Sequence, residues 1–256
     1  NPHPRQFFSR ELDQYQILSE EKKQLIFTEL GIDHYFCLKF DELLSNLSPV
    51  DFIKKIIVDQ LKVEKLIVGY DFRFGKDRKG DTNLLLDHGK IHGFNLETIE
   101  QITNPKTKTP YSSTKIRECI RIGEIEEANL LLGRPWSMQG KVIHGDKRAR
   151  KMNFPTANIL PHNEIYPLKG VYAVNIKFGN EVHKGIANFG IRPTVAGEKL
   201  LLEAHLFDFD RDIYGNYLTV EFLAFIRGEK KFETFDYLVE QINKDIQIAK
   251  DYHLRK

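Results

Sequence analysis

Thr156 and Asn158 are the residues whose types and spacing first point to chemistry. They close the string Gly140-Lys-Val-Ile-His-Gly-Asp-Lys-Arg-Ala-Arg-Lys-Met-Asn-Phe-Pro-Thr-Ala-Asn158, in which Phe154-Pro155 fixes the backbone just before them. Side chains two apart on an extended segment point the same way, so a hydroxyl and a carboxamide oxygen face one ion or one phosphate. Hard oxygen donors beside phosphate oxygens are what Mg²⁺ prefers. A Thr-x-Asn pair also occurs in turns that close their own hydrogen bonds, and type and spacing alone leave both readings open. Upstream, Lys147, Arg148, Arg150 and Lys151 put four cations into five positions, either a solvated loop or a place where phosphates are met.

A sheet must hold that string. VYAVNIKF at 171–178 puts apolar residues at 172, 174, 176 and 178 with Asn175 and Lys177 between them, and Gly179-Asn180 supplies a hairpin turn into EVHKGIANFG. LLEAHLF follows, then a turn at Tyr214-Gly-Asn216, then YLTVEFLAFI, and the amphipathic run TFDYLVEQINKDIQIAK closes the chain as one helix. Antiparallel strands accompanied by a single helix predict a small β-barrel.

The first half has a different period. Ser19 caps a helical run that stops at Gly31, and HYFCLKF at 34–40 reads as a short buried strand carrying Cys37. Ser48-Pro-Val-Asp51 opens the helix DFIKKIIVDQL, and KLIVGY follows. Strand, helix and strand, with the strands continuously apolar, predict a βαβ unit in a parallel sheet covered on both faces. Two amphipathic segments between 113 and 132, separated by Gly123 and stopped by Gly133-Arg-Pro135, mark the boundary between domains 1–134 and 135–256.

Composition narrows the classes. At 256 residues, with 29% charged residues and a mean hydropathy of -0.41, the chain is long and polar enough for two packed domains. No run reaches the ~18 apolar residues of a membrane-spanning helix, so no membrane partner is expected. Residues 1–134 hold 20 basic and 21 acidic side chains against 18 and 15 in 135–256, a balance of -1 and +3 that excludes a general nucleic-acid surface. Cys37 and Cys119 form neither a disulfide framework nor a metal pair, which fits a reducing, cytoplasmic compartment. The chain opens at Asn1-Pro2 with no leader pattern, and is expected to begin inside a longer protein.

The whole string from Gly140 to Asn158 resembles the ATP-binding signature of riboflavin kinases, a G-x-V-x-x-G strand running through a basic loop into F-P-T-A-N. Gly170-Val-Tyr-Ala-Val, Ala187-Asn-Phe-Gly-Ile-Arg-Pro-Thr194 and Leu202-Glu-Ala-His-Leu-Phe-Asp-Phe-Asp-Arg-Asp-Ile-Tyr-Gly215 resemble that family's successive strands and loops, in order, so the resemblance covers 135–256. It implies an antiparallel six-stranded β-barrel with a C-terminal helix that transfers the γ-phosphoryl group of ATP to the 5'-hydroxyl of riboflavin, giving FMN. By motif position, Thr156 and Asn158 would hold Mg²⁺, or another divalent cation, and the nucleotide phosphates. Gly145, Lys147 and Arg148 would lie in the nucleotide-binding loop, and Glu203 would be the catalytic base. Period-two geometry sets Glu203 on one face with Leu201 and His205; were that face the barrel interior, the carboxylate would be buried. Ala149 and Asn153 stand where the family commonly has glycine, implying a stiffer loop. His144 and His205 suit no metal spacing and are expected to pack within strands. A flavin- or nucleotide-binding module without turnover is the alternative, against which the joint presence of Thr156, Asn158 and Glu203 argues.

Residues 1–133 resemble the FMN adenylyltransferase half of bacterial FAD synthetase, through Pro2-His3-Pro4-Arg5 with Phe7-Phe8, Val68-Gly-Tyr-Asp-Phe-Arg-Phe-Gly75 and Ser112-Ser-Thr-Lys-Ile-Arg117. The resemblance implies a Rossmann-like, nucleotidyltransferase-like α/β domain. Gly69 and Asp71 would sit at the carboxyl end of a strand, where open α/β sheets bind ligands. Ser113, Thr114 and Arg117 would open a helix toward a triphosphate. The chain has nine histidines and none in the family's H-x-G-H arrangement, so this domain reads as incomplete. Riboflavin, FMN and ATP are the expected small-molecule partners, and no residue pattern sets an oligomeric state. The 256 residues alone are expected to form no appreciable FAD from FMN and ATP, because the groups that would neutralise the α-phosphate are absent from them. Chromatography of the flavin products checks this, and efficient FAD formation would show that other residues do that work.

Overall fold

The structure, a computed structural model, describes residues 2–9, 14–105, 108–143, 154–161, 164–194 and 197–255. The chain folds as two compact units, Asn1–Leu12 with Phe36–Tyr111, and Asp13–Tyr35 with Ser112–Lys256. In chain order the helices and strands are α1 (Pro4–Phe8), α2 (Glu20–Glu29), α3 (Glu42–Ser45), α4 (Pro49–Phe52), β1 (Lys65–Gly69), α5 (Thr82–His92), β2 (Asn95–Ile99), α6 (Ser113–Ile122) and α7 (Ile125–Leu132). Then come β3 (Trp136–Ile143), β4 (Ala157–Ile159), β5 (Gly170–Phe178), β6 (Glu181–Thr194), β7 (Gly197–Leu206), β8 (Tyr217–Gly228) and α8 (Phe235–Leu254).

In the first unit, Ser48 Oγ accepts the Asp51 amide at 3.0 Å to start α4, which continues as π-type turns over Ile53–Gln60. β1 and β2 pair in parallel, Lys65 opposite Asn95 through Gly69 opposite Ile99, with α5 as the crossover. The βαβ unit therefore falls one element later than the sequence pattern predicts. Among the described residues, 34–40 belong to no strand and Cys37 is exposed, so this apolar run is not the buried strand that the pattern predicts. β1 has one ladder neighbour among the described residues and alternates in burial, with Ile67 exposed, so its apolar run does not mark a strand covered on both faces. The core lies beneath this pair, where Ile53, Ile57, Phe74, Leu85 and Phe94 are buried.

The second unit is a closed antiparallel barrel in the order β3-β4-β7-β6-β5-β8. Alternate side chains fill it: Met138, Ile159, Tyr172, Val174, Phe189, Leu202, Ala204, Val220 and Phe222 share one core with Trp136. Helices α6 and α7 belong to this same core through Ile116, Ile120, Ile125 and Leu131. A boundary at 134/135 would thus divide apolar residues that bury one another. Residues 15–17 also lie on this unit: Trp136 Nε1 donates to the Ile17 carbonyl at 2.8 Å and the Ile165 amide to the Gln16 carbonyl at 2.7 Å.

Helix α8, N-capped by Thr234, covers the outside of the barrel, with Ala249 against Val171, Ala173, Ile186, Phe207 and Ala224. An ion pair fastens it. Arg227 Nη2 on β8 donates to Asp245 at 2.7 Å, and Gln241 Nε2 donates to the same carboxylate at 2.9 Å. The Asp245 side chain is 3% exposed, so Asp245→Ala strands a partly buried guanidinium. The expected cost is about 3 kcal/mol. Urea unfolding followed through Trp136, the sole tryptophan, checks this, and the paired replacement Arg227→Met with Asp245→Leu is expected to recover most of the loss.

Candidate functional site

Strand β4 is three residues long and closes the barrel between β3 and β7. Ala157 and Ile159 point into the core, which turns Asn158 to the outer face. Gly140 on β3 permits the fit, since a Cβ there would collide with the Leu160 carbonyl. Register then places Asn158 opposite Glu203, Glu203 opposite Asn188, Asn188 opposite Val171 and Val171 opposite Arg227. One row of side-chain positions thus crosses five strands on the outer wall, from the F-P-T-A-N segment to the ion pair under α8.

The register decides which face of β7 carries Glu203, a question the sequence left open. Leu202, Ala204 and Leu206 take the interior, and Glu203 lies on the outer face, half-buried. The interior is closely filled by aliphatic and aromatic side chains, so the acid occupies the face where polar partners are available. Thr156 precedes the ladder and is half-buried, while Asn158 is 8% exposed. A second carboxylate, Glu229, approaches the backbone of Gly190, two residues from Asn188, closely enough to leave no room for a Cβ.

The donor set is a hydroxyl, a carboxamide and a carboxylate at the paired position on β7. These are hard oxygens, and they fit Mg²⁺. Gly145, Lys147 and Arg148 lie outside the described residues, as does His144. The placement of Asn188 in the same row as Asn158 and Glu203 was not legible in the sequence. The hairpin at Gly179-Asn180 sets the register between β5 and β6, and counting back from it would have placed Asn188 on the outer face.

The remaining predicted residues divide between the units. Gly69 and Asp71 are exposed at the carboxyl end of β1 in the first unit. Ser113, Thr114 and Arg117 lie on α6 in the second. The cap of α6 is Ser112, whose Oγ accepts the Thr114 amide at 3.2 Å; Ser113 and Thr114 follow it on the exposed first turn. Arg117 is not presented to solvent as expected. Its position falls on the buried face of α6 with Ile116 and Ile120, so Nε donates to the Tyr15 carbonyl at 2.9 Å and the guanidinium lies 3.9 Å from the centre of the Tyr15 ring.

The chain thus carries a closed six-stranded antiparallel barrel in one unit and a parallel strand pair in the other. A model of the riboflavin kinase family matches residues 132–253, and a model of the FAD synthetase family matches residues 1–115. The chain belongs to the bifunctional riboflavin kinase/FMN adenylyltransferase family. The relative from Buchnera aphidicola subsp. Schizaphis graminum is 40% identical over 254 residues, 98% of this chain and 81% of that protein. The relative from Escherichia coli strain K12 is 35% identical over 252 residues, 98% of this chain and 80% of that protein. Both carry the family's bifunctional name. A crystal structure described as a macrolide-efflux protein from Streptococcus pneumoniae superposes with a TM-score of 0.81 at 28% identity, over 91% of this chain and 75% of that one. Among the described residues no helix is long and apolar enough to cross a membrane.

Proposed function

We propose that the second unit phosphorylates riboflavin to FMN with ATP, and that the outer-wall row beginning at Asn158 and Glu203 is where the transfer occurs. The observation that carries this reading is the nearly buried side chain of Asn158 on the same outer wall as the carboxylate of Glu203, its partner position on β7. Membership of the family supports the substrate pair. Thr156 and Asn158 would hold a divalent cation, with Mg²⁺ the best match to the oxygen donors. Such an ion, when bound, neutralises charge on phosphate oxygens.

The protein's own share of the reaction is positioning and proton management. The primary hydroxyl of riboflavin attacks the γ-phosphorus, the bond to the β,γ-bridging oxygen breaks, and ADP leaves with that electron pair. Glu203 accepts the hydroxyl proton as the new O–P bond forms, a gain of about 10²- to 10⁴-fold for a well-placed base. Its place on a strand rather than a loop limits its freedom to drift from the attacking oxygen. Lys147 and Arg148, with Gly145, are assigned to the nucleotide phosphates on the motif alone. In the first unit, Gly69 and Asp71 are the candidate contacts for FMN adenylylation by the intact bifunctional enzyme; Ser113 and Thr114, on α6 of the second unit, keep only the nucleotide-binding assignment that the motif gives them. Arg117 is left out of that set because its guanidinium is held by Tyr15.

Two substitutions test the assignment. Asn158→Ala is expected to lose most kinase turnover while the Trp136 unfolding transition stays in place, since the substitution keeps the β4 backbone pairing and removes only an outer-face ligand to ion and phosphate. Near wild-type turnover at limiting Mg²⁺ would reject it. Glu203→Gln keeps the size and much of the hydrogen bonding, and kcat is expected to fall by about 10²-fold with riboflavin and ATP binding retained. Single-turnover rates against pH are the check: the wild-type limb attributable to the base should be missing from the variant. Fast single-turnover chemistry with weakened riboflavin binding would instead make Glu203 a flavin-positioning group.

A further inference from the structure

Antiparallel pairing of β4 with β7 stops at Ala157 opposite Ala204. Continued by one residue, the register would set Thr156 against His205. There the ladder has no backbone means of going on, because Pro155 lacks an N–H and Thr156 has left the strand. The His205 side chain crosses this gap. Its Nδ1 lies 2.8 Å from the Pro155 carbonyl oxygen, and since a carbonyl only accepts, Nδ1 carries the hydrogen.

The imidazole is itself held. Its ring meets Phe154 edge-on, with centroids 6.0 Å apart at 89°, and Phe207 at 5.8 Å and 69°. Phe207 is anchored beneath α8 in the outer apolar cluster with Val171, Ile186 and Ala249. His205 also shares the outer face of β7 with Glu203, two residues away, so one strand presents both the proposed base and the donor that fixes Pro155.

We infer that His205 is a positioning residue of the kinase site: by holding the Pro155 carbonyl it sets the peptide from which the Thr156 hydroxyl and the Asn158 carboxamide are aimed. The inference rests on the reading of those two residues as the ligands of ion and phosphate. It replaces the sequence-based expectation that His205 serves strand packing alone. A packing role needs only a ring of the right size; a positioning role needs the Nδ1 hydrogen.

His205→Phe keeps an aromatic ring between Phe154 and Phe207 and removes the donor. His205→Asn discards the ring and returns an N–H near the place of Nδ1. In the full 256-residue chain, H205F is expected to lower kcat/KM for Mg-ATP by about tenfold and to raise the Mg²⁺ concentration needed for half-maximal rate, with riboflavin binding by fluorescence quenching unchanged. H205N is expected to recover most of the loss although it packs worse. Should H205F not fold, H205L gives the same removal of the donor.

Wild-type kcat/KM for Mg-ATP in the donor-less variant overturns the inference, as does an H205N enzyme no better than H205F. Asn158→Ala measured alongside separates the two levels. If it is inactive while H205F is normal, only the role of His205 fails; if it is fully active at limiting Mg²⁺, the ligand assignment and the inference fail together.

Discussion

The second unit depends on the closure of its barrel through β4, whose three residues pair with β3 on one side and β7 on the other. The same three residues must bury Ala157 and Ile159 inside and present Asn158 outside. Closure and ligand placement are therefore one constraint. A shift of a single residue in this register would carry Asn158 into a core of Leu202, Phe189 and Val174 and turn two apolar side chains out. Loss of the barrel's inner packing and loss of the site would be the same event.

What lies outside the barrel supports that strand in layers. Val171, Phe207 and Ala249 form an apolar cluster beneath α8, and the Arg227–Asp245 pair fixes the helix at the far end of the row that starts with Asn158. Arg227 is thus both a member of the row and the anchor of the helix above it. Helices α6 and α7 share the barrel core, and residues 15–17 are bound to the same unit by the Trp136 indole and the Ile165 amide. Arg117 belongs to this arrangement, spent on the Tyr15 carbonyl and ring. A cation that a motif assigns to phosphate serves here to hold one chain segment against another.

The period-two runs made most of the barrel legible, because each strand of it has a wet face and a dry one, and 171–178 alternates as a half-buried strand must. The helix caps at Ser19 and Ser48 were equally plain. HYFCLKF was misread because apolar content alone carries no information about a ladder partner, and the parallel pair formed with 95–99, whose sequence NLETI has little apolar weight. At the site, Thr156, Asn158 and Glu203 could be named from type and spacing together with the family motif. The face of Glu203 could not, since it depends on how β7 pairs with β4 and β6, two contacts set by closure. Asn188 and His205 stayed hidden for the same reason: each gains its role from a residue far away in sequence.

Phosphoryl transfer at the outer wall around Asn158 and Glu203 is tested most directly by product formation. Purified chain incubated with riboflavin and Mg-ATP, with flavins and nucleotides resolved by chromatography, should yield FMN and ADP in equal amounts. Riboflavin recovered unchanged beside intact ATP, from protein whose Trp136 unfolding shows a folded barrel, would contradict it.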